Sequence, residues 1–153
     1  MNLKTLLSLV VIAVSVGTLG PAIADDMDSM PEAKTQNGIT YLSGGIGKDQ
    51  SEAMKAAAKD YTLMLTCAIR PTGQYMADVK VNITDKSGSS VLETVTDGPF
   101  LLVQLAPGQY RINAESNGVT MNKTVHISAN QSVKVSLYWT ENAVHSNINA
   151  PEL

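Results

Sequence analysis

The chain reads as a mainly β protein, an antiparallel β-sandwich of about seven short strands preceded by one short α-helix. Three observations predict this. Apolar and polar side chains alternate with a period of two through most of the second half. The turn-forming pairs Asp97-Gly98, Pro107-Gly108 and Asn117-Gly118 recur about every ten residues. One helix-forming run, Gln50 to Lys59, stands alone ahead of them.

The first residues set a compartment rather than a fold. Lys4 precedes an uncharged apolar run from Leu6 to Leu19, followed by Pro21 and the small-x-small trio Ala22-Ile23-Ala24. This is the pattern of a signal peptide over residues 1–24, with cleavage expected before Asp25. The run is shorter than the roughly 20 residues that a membrane-spanning helix needs. No later stretch is apolar enough for an anchor, and Asp25, not a cysteine, stands directly after the cleavage position, where a lipid would be attached. The expectation is a periplasmic or secreted protein with no stable membrane insertion once the signal is removed. Residues 25–37 are polar, contain Pro31 and show no period, so they read as a flexible leader. Residues 141–153 read in the same way as a disordered tail.

The folded body divides into residues 38–76, holding a Gly-rich loop, the helix and a first long strand, and residues 77–140, the sandwich proper. Asp49 is placed to cap the helix, with Glu52 three residues on, and Ala53, Met54, Ala57 and Ala58 form its apolar side. From Tyr61 to Ile69 the odd positions share one apolar face, Cys67 among them. Val79, Val81 and Ile83 alternate with polar residues up to the turn Asp85-Lys86-Ser87-Gly88, and Val91 to Thr96 returns as the hairpin partner. Asp97-Gly98-Pro99 ends that strand, with Gly98 free to take a positive φ. Phe100 to Leu105 is nearly all apolar, as in a strand covered on both faces. Ala106-Pro107-Gly108-Gln109 fits a type II turn leading to an antiparallel partner in which Tyr110, Ile112 and Ala114 point inward. Asn117-Gly118 fits a type I′ hairpin turn into Val119 to Ile127. A last strand carries Val133, Val135, Leu137 and Trp139 on one face.

Composition excludes several classes. The 153-residue chain has a net charge of −3, or −4 once Lys4 leaves with the signal, and its charges are dispersed in mixed sign. It has no basic stripe, so nucleic acid is not an expected partner. A single cysteine, Cys67, rules out an intramolecular disulfide, so stability must come from packing and strand pairing.

The stretch "VTDGPFLLVQLAPGQYRINAE" resembles the carboxypeptidase regulatory-like domain, a transthyretin-like (prealbumin-like) β-sandwich. Thr96, Asp97, Gly98, Phe100, Leu102, Leu105, Pro107, Gly108, Tyr110, Ile112 and Ala114 carry the resemblance, with Pro99 as an extra residue beside the turn. The upstream "ADVKVNITDKSGSSVLETV" is similar to that family's first hairpin, and together they span about Ala77 to Leu137. The resemblance implies a fold. It implies no activity, because its letters are mostly turn and core positions. The His-x-x-Glu pair of the peptidase half is absent, as is the C-terminal Tyr-Arg-Gly-Ser of the related hydroxyisourate hydrolases. The preceding segment, "YLSGGIGKDQSEAMKAAAKDYTLMLTCA", is similar to small exported bacterial proteins that pair such a loop and helix with this domain.

Candidate chemistry is sparse. Gly44, Gly45 and Gly47, with Lys48 beside them, lead into the helix N-terminus, where successive N–H groups can hold a phosphate or carboxylate. The spacing is neither a Walker loop nor a dinucleotide fingerprint, and it reads more simply as a tight turn that lets the helix pack. Cys67 reads as a buried small hydrophobe. Tyr41, Tyr75, Tyr138 and Trp139 are candidates for a glycan platform, Trp139 being in phase with the core and Tyr138 on the freer face. Asp97 with Asp85 or Glu93 is a calcium candidate that reads more simply as turn chemistry. The function expected is a non-enzymatic binding or interaction module of the cell envelope, without cofactor or metal. It would engage an envelope protein or glycan through sandwich loops or a strand edge. The alternative is a small hydrolase or isomerase that uses Gly44 to Gly47 as an anion site.

Overall fold

A computed structural model describes residues 29–141. The expected signal peptide, the first residues of the leader and the tail from residue 142 lie outside the described residues. In chain order the elements are β1 (Lys34–Gln36), β2 (Ile39–Gly44), α1 (Lys48–Ala57), β3 (Leu63–Arg70), β4 (Lys80–Asp85), β5 (Ser90–Val95), β6 (Phe100–Val103), β7 (Gly108–Ser116), β8 (Val119–Ile127) and β9 (Val133–Thr140). A first sheet has the order β1-β2-β6-β3-β9 and a second the order β5-β4-β7-β8. All neighbours are antiparallel except β3 and β9, which run parallel from Leu63 opposite Val133 to Arg70 opposite Thr140.

The period-two pattern builds the main core between the sheets. Leu63, Leu65 and Cys67 from β3 meet Val81 and Ile83 from β4, Ile112 and Ala114 from β7, and Val135, Leu137 and Trp139 from β9. Side chains two apart point to the same face, so each strand delivers its apolar set inward and its polar set outward. The Trp139 ring is buried, and its Nε1–H donates to the Val119 carbonyl at 3.0 Å, which satisfies its one donor. A second, smaller core lies on the outer face of the first sheet. There α1 sets Met54 and Ala58 against Leu42, Met64, Phe100 and Leu102. This explains why β6 is buried at all four positions. Burying side chains such as Met54 and Phe100 stabilises by about 1.5–3 kcal/mol each.

The β-sandwich class stands, with nine strands among the described residues rather than about seven. The additional ones come from segments without an apolar period. Lys34–Gln36, expected within the leader, pair with β2. Asn37 (φ 51°) and Gly38 (φ 76°) make the same two-residue turn as Asn117 (φ 49°) and Gly118 (φ 75°). Lys34 Nζ is 2.7 Å from Asp97 Oδ2, so this hairpin is pinned to the turn before β6.

Three turn readings are also corrected. The helix begins at Lys48 with Gly47 (φ 80°) at the N-cap, and Asp49 lies inside the first turn, making no cap hydrogen bond. Strands β6 and β7 are not a hairpin but lie in different sheets. Pro107 and Gly108 carry the chain across, with Gly108 extended (φ 158°) as the first residue of β7. The Tyr110 hydroxyl donates to the Ala106 carbonyl at 2.9 Å and ties the crossing down. Gly98 is needed for space rather than for a positive φ, because a Cβ there would lie 2.3 Å from the Gly44 carbonyl oxygen. Since β2 and β3 flank β6, residues 38–76 are part of the same sandwich as the strands after them.

Candidate functional site

The outer face of the first sheet is only partly covered by α1, and a groove opens beside the first turns of the helix. Beyond the first residue of β6, residues 74–76 take over its place beside β3. The Cys67 amide donates to the Pro99 carbonyl at 2.9 Å, the Met76 amide to Cys67 at 3.1 Å, and the Ile69 amide to Gln74 at 2.8 Å. This sets Tyr75 opposite Ala68 on the outer face. Between that segment and the start of α1 lies a groove of about 500 Å³, lined by Gly45, Ile46, Lys48, Lys55, Tyr75 and Pro99 among others. Ile46 is 66% exposed and Tyr75 46%, large for apolar and aromatic side chains. The Tyr75 ring meets Phe100 edge-on, centroids 5.1 Å apart. Lys55 Nζ lies 5.5 Å from the Tyr75 centroid and 5.3 Å from that of Phe100, within cation–π range of both.

The Gly-rich loop forms one wall of this groove, but two of its donors, the Gly45 and Ile46 amides, are engaged. Gln50 Oε1 accepts the Gly45 amide at 2.7 Å and the Ile46 amide at 3.1 Å. Ser51 Oγ donates to the Gly45 carbonyl. Gln50 occupies the third helical position after the Gly47 cap, from which a side chain reaches back to the preceding turn. An anion presented to Gly45 and Ile46 would first have to displace that amide. Gly45 serves close packing as well: its φ is 101°, and a Cβ there would stand 2.3 Å from the Phe100 ring. Gly44 faces the other way, where its nearest neighbours are Pro31 and the Gln50 amide. Lys48 is exposed at the groove mouth.

Of the residues expected at a site, Gly45, Gly47 and Lys48 are brought together in the groove. Tyr138 is not. It sits opposite Ala68 on the far side from Tyr75, so the two tyrosines flank Ala68 in one row. At 4.7–4.9 Å per strand their backbones are about 10 Å apart. The Arg70 guanidinium covers the Tyr138 ring at 4.0 Å from its centroid. Tyr41 and Trp139 are buried and leave the platform. Sequence reasoning missed Gln50, Ile46 and Lys55. Only Gln50 carried a signal, its position three residues after Gly47.

The remaining reactive groups stand apart. Cys67 is buried, and desolvation pushes its thiol up to about 12. Asp97 is paired with Lys34, and its amide donates to Ser43 Oγ at 2.8 Å. Asp85 Oδ1 accepts from the Ser87 hydroxyl and from the Ser87 and Ser89 amides, which holds its carboxyl below the usual range. His126 faces solvent on β8, and His145 lies outside the described residues. Among the described residues, no three of His, Cys, Asp and Glu gather in one place.

None of the curated proteins matches this chain. Among solved structures it is similar to the 5-hydroxyisourate hydrolase of Klebsiella pneumoniae, with a TM-score of 0.45 and 16% identity over 52% of this chain and 84% of that one. It is also similar to BcpA, the major pilin subunit of Bacillus cereus, with a TM-score of 0.40 and 19% identity over 50% of this chain and 28% of the pilin. A family profile described as the Rhizobiales growth-associated tandem repeat domain matches residues 62–139, from the start of β3 almost to the end of β9. That match takes in the strands that build the main core and covers just over half of the sequence, and by it the chain belongs to the Rhizobiales growth-associated tandem repeat domain family.

Proposed function

We propose that this protein is a non-enzymatic, exported binding module of the cell envelope that holds a protein or glycan partner on the outer face of its first sheet. The observation that carries the reading is the groove beside α1, where exposed Ile46 and Tyr75 stand next to two lysines. An exposed apolar and aromatic patch rimmed by polar groups is the usual mark of an interaction surface. The signal-like residues 1–24 support export, and the family's description as growth-associated fits a role in the envelope. The finer likeness of residues 77–137 to carboxypeptidase regulatory-like domains belongs to the same reading.

The rival, a small hydrolase or isomerase using Gly44 to Gly47, requires free loop donors and a poised nucleophile. Gln50 takes the Gly45 and Ile46 donors, and burial keeps the Cys67 thiol protonated. The test is a photo-reactive phenylalanine in place of Tyr75 in the full chain, expressed with its own N-terminus. Irradiation of cells is expected to give a discrete adduct in the envelope fraction, weakened at least several-fold by Ile46→Ser. No adduct, together with turnover of acyl or cyclic-amide substrates that Gly47→Ala abolishes, would replace this reading with the rival.

A further inference from the structure

The two sheets present four edges, and three of them are guarded. Strand β1 is only three residues long, too short to template a partner. On β5 the Glu93 amide donates to Gln36 Oε1 at 2.7 Å, and Asn37 Nδ2 donates to the Val91 carbonyl, so the tip of the first hairpin covers it. On β8, Lys123 falls opposite Ile112 in the register. It falls in line with the inward positions Met121 and Val125 yet stays exposed, and a lysine that interrupts the apolar face is a known protection of an edge.

Among the described residues, strand β9 has none of these devices. It is eight residues long, bonds to no described strand but β3, and keeps valine, leucine and tryptophan at every inward position. The Val133 amide donates to the Thr62 carbonyl on the β3 side at 2.9 Å. With a period of two, the backbone N–H and C=O groups of Lys134, Ser136, Tyr138 and Thr140 therefore point away from β3. Val119, Met121 and Val133, on the strands that border this side of the sandwich, pack on the core while remaining partly exposed. Between them β8 and β9 carry Lys123 and Lys134 and no acidic residue, in a chain whose net charge is −3.

We propose that β9 receives an extended, acidic segment of a partner protein as an added antiparallel strand. The backbone ladder supplies affinity, alternate apolar side chains cover the open side of the sandwich, and acidic side chains answer Lys134 and Lys123. Antiparallel pairing is the better-bonded orientation. This rests on the reading of the protein as a binding module and names its partner.

The probe is a capped peptide of about eight residues alternating glutamate and valine, added to the isotope-labelled full chain. Amide exchange at Lys134, Ser136, Tyr138 and Thr140 is expected to slow by about ten-fold or more, while Val135 and Leu137, already bonded to β3, stay unchanged. Ser136→Pro removes an outward N–H without touching the β3 ladder and is expected to weaken binding at least about ten-fold with an unchanged far-UV spectrum. Lys134→Glu is expected to weaken it several-fold, and a lysine–valine probe to bind no better than that variant. Slowed exchange on β8 or β5 instead, no slowing at all, or undiminished binding by Ser136→Pro would overturn the proposal. If the photo-adduct at Tyr75 still forms while the probe leaves β9 unchanged, this inference fails and the wider reading stands. If slowing is seen on β9 but no adduct forms, the groove is the part that fails.

Discussion

Gly45 and Gly47 differ in what an added methyl would meet. At Gly45 it would enter the Phe100 ring, and the backbone is in the left-handed region as well. Gly45→Ala is expected to cost about 3 kcal/mol, combining overpacking with a strained φ. Gly47 has the strained φ but open space around it, so Gly47→Ala should cost about 1 kcal/mol. Urea denaturation of the two variants checks the ordering, and equal losses would contradict the packing role assigned to Gly45. Cys67 yields a second expectation. Its thiol ionises near its ordinary value of 9.0 in the unfolded chain and only near 12 in the fold, because burial disfavours the charge. Between those values the unfolded chain releases a proton that the folded chain keeps, so stability falls as pH rises. The slope above pH 9 is about 1.4 kcal/mol per pH unit for this one group, and burial raises Tyr61 and Tyr110 in the same direction. Cys67→Ala should flatten part of the alkaline loss. A thiol reagent at pH 8 should leave the native protein unmodified and label it fully in guanidinium.

Helix α1 is held by few contacts, and Met54 is its deepest. Met54→Ala is expected to cost about 2–4 kcal/mol and to loosen the helix from β6 while the inter-sheet core remains intact. Exchange rates confined to α1 and its neighbours would show this, whereas uniform acceleration would mean that the two cores melt as one. How far each element could be read from sequence depends on where its side chains go. Most strands from β3 to β9 announce themselves because a buried face imposes a period, and β6 by an unbroken apolar run because both of its faces are covered. Strand β1 is Lys-Thr-Gln, with no apolar partner to impose one. Its only signal was the Asn-Gly pair that follows, the same pair that was read correctly at Asn117-Gly118. The crossing from β6 to β7 was misread because alternation tells which face a residue takes, not which sheet its strand joins. At the candidate site the Gly-rich loop marked the right place. The occupant of its donors, Gln50, was hidden because a polar helical residue looks solvent-facing in sequence.

The assembled protein makes export and chain order testable together. Cleavage before Asp25, the position expected from the sequence, would leave every described residue in the processed chain, which is expected to fold to the same sandwich. Mass spectrometry of the exported product should show Asp25 as its first residue, and an intact Met1 would refute the signal assignment. At the far end of the fold, β9 owes its place to β3. The parallel pairing sets Arg70 beside Thr140, and the same end of the sheet holds Gly44 opposite Phe100 and Phe100 opposite Thr66. Pro31, just ahead of β1, packs against Gly44 at that end too. The polypeptide thus comes in along one border of the first sheet and departs along the opposite border at a common pole. Tension drawn through both ends would unzip the outermost ribbons one hydrogen bond at a time instead of loading them together in shear, which makes the unit mechanically soft whatever its thermal endurance.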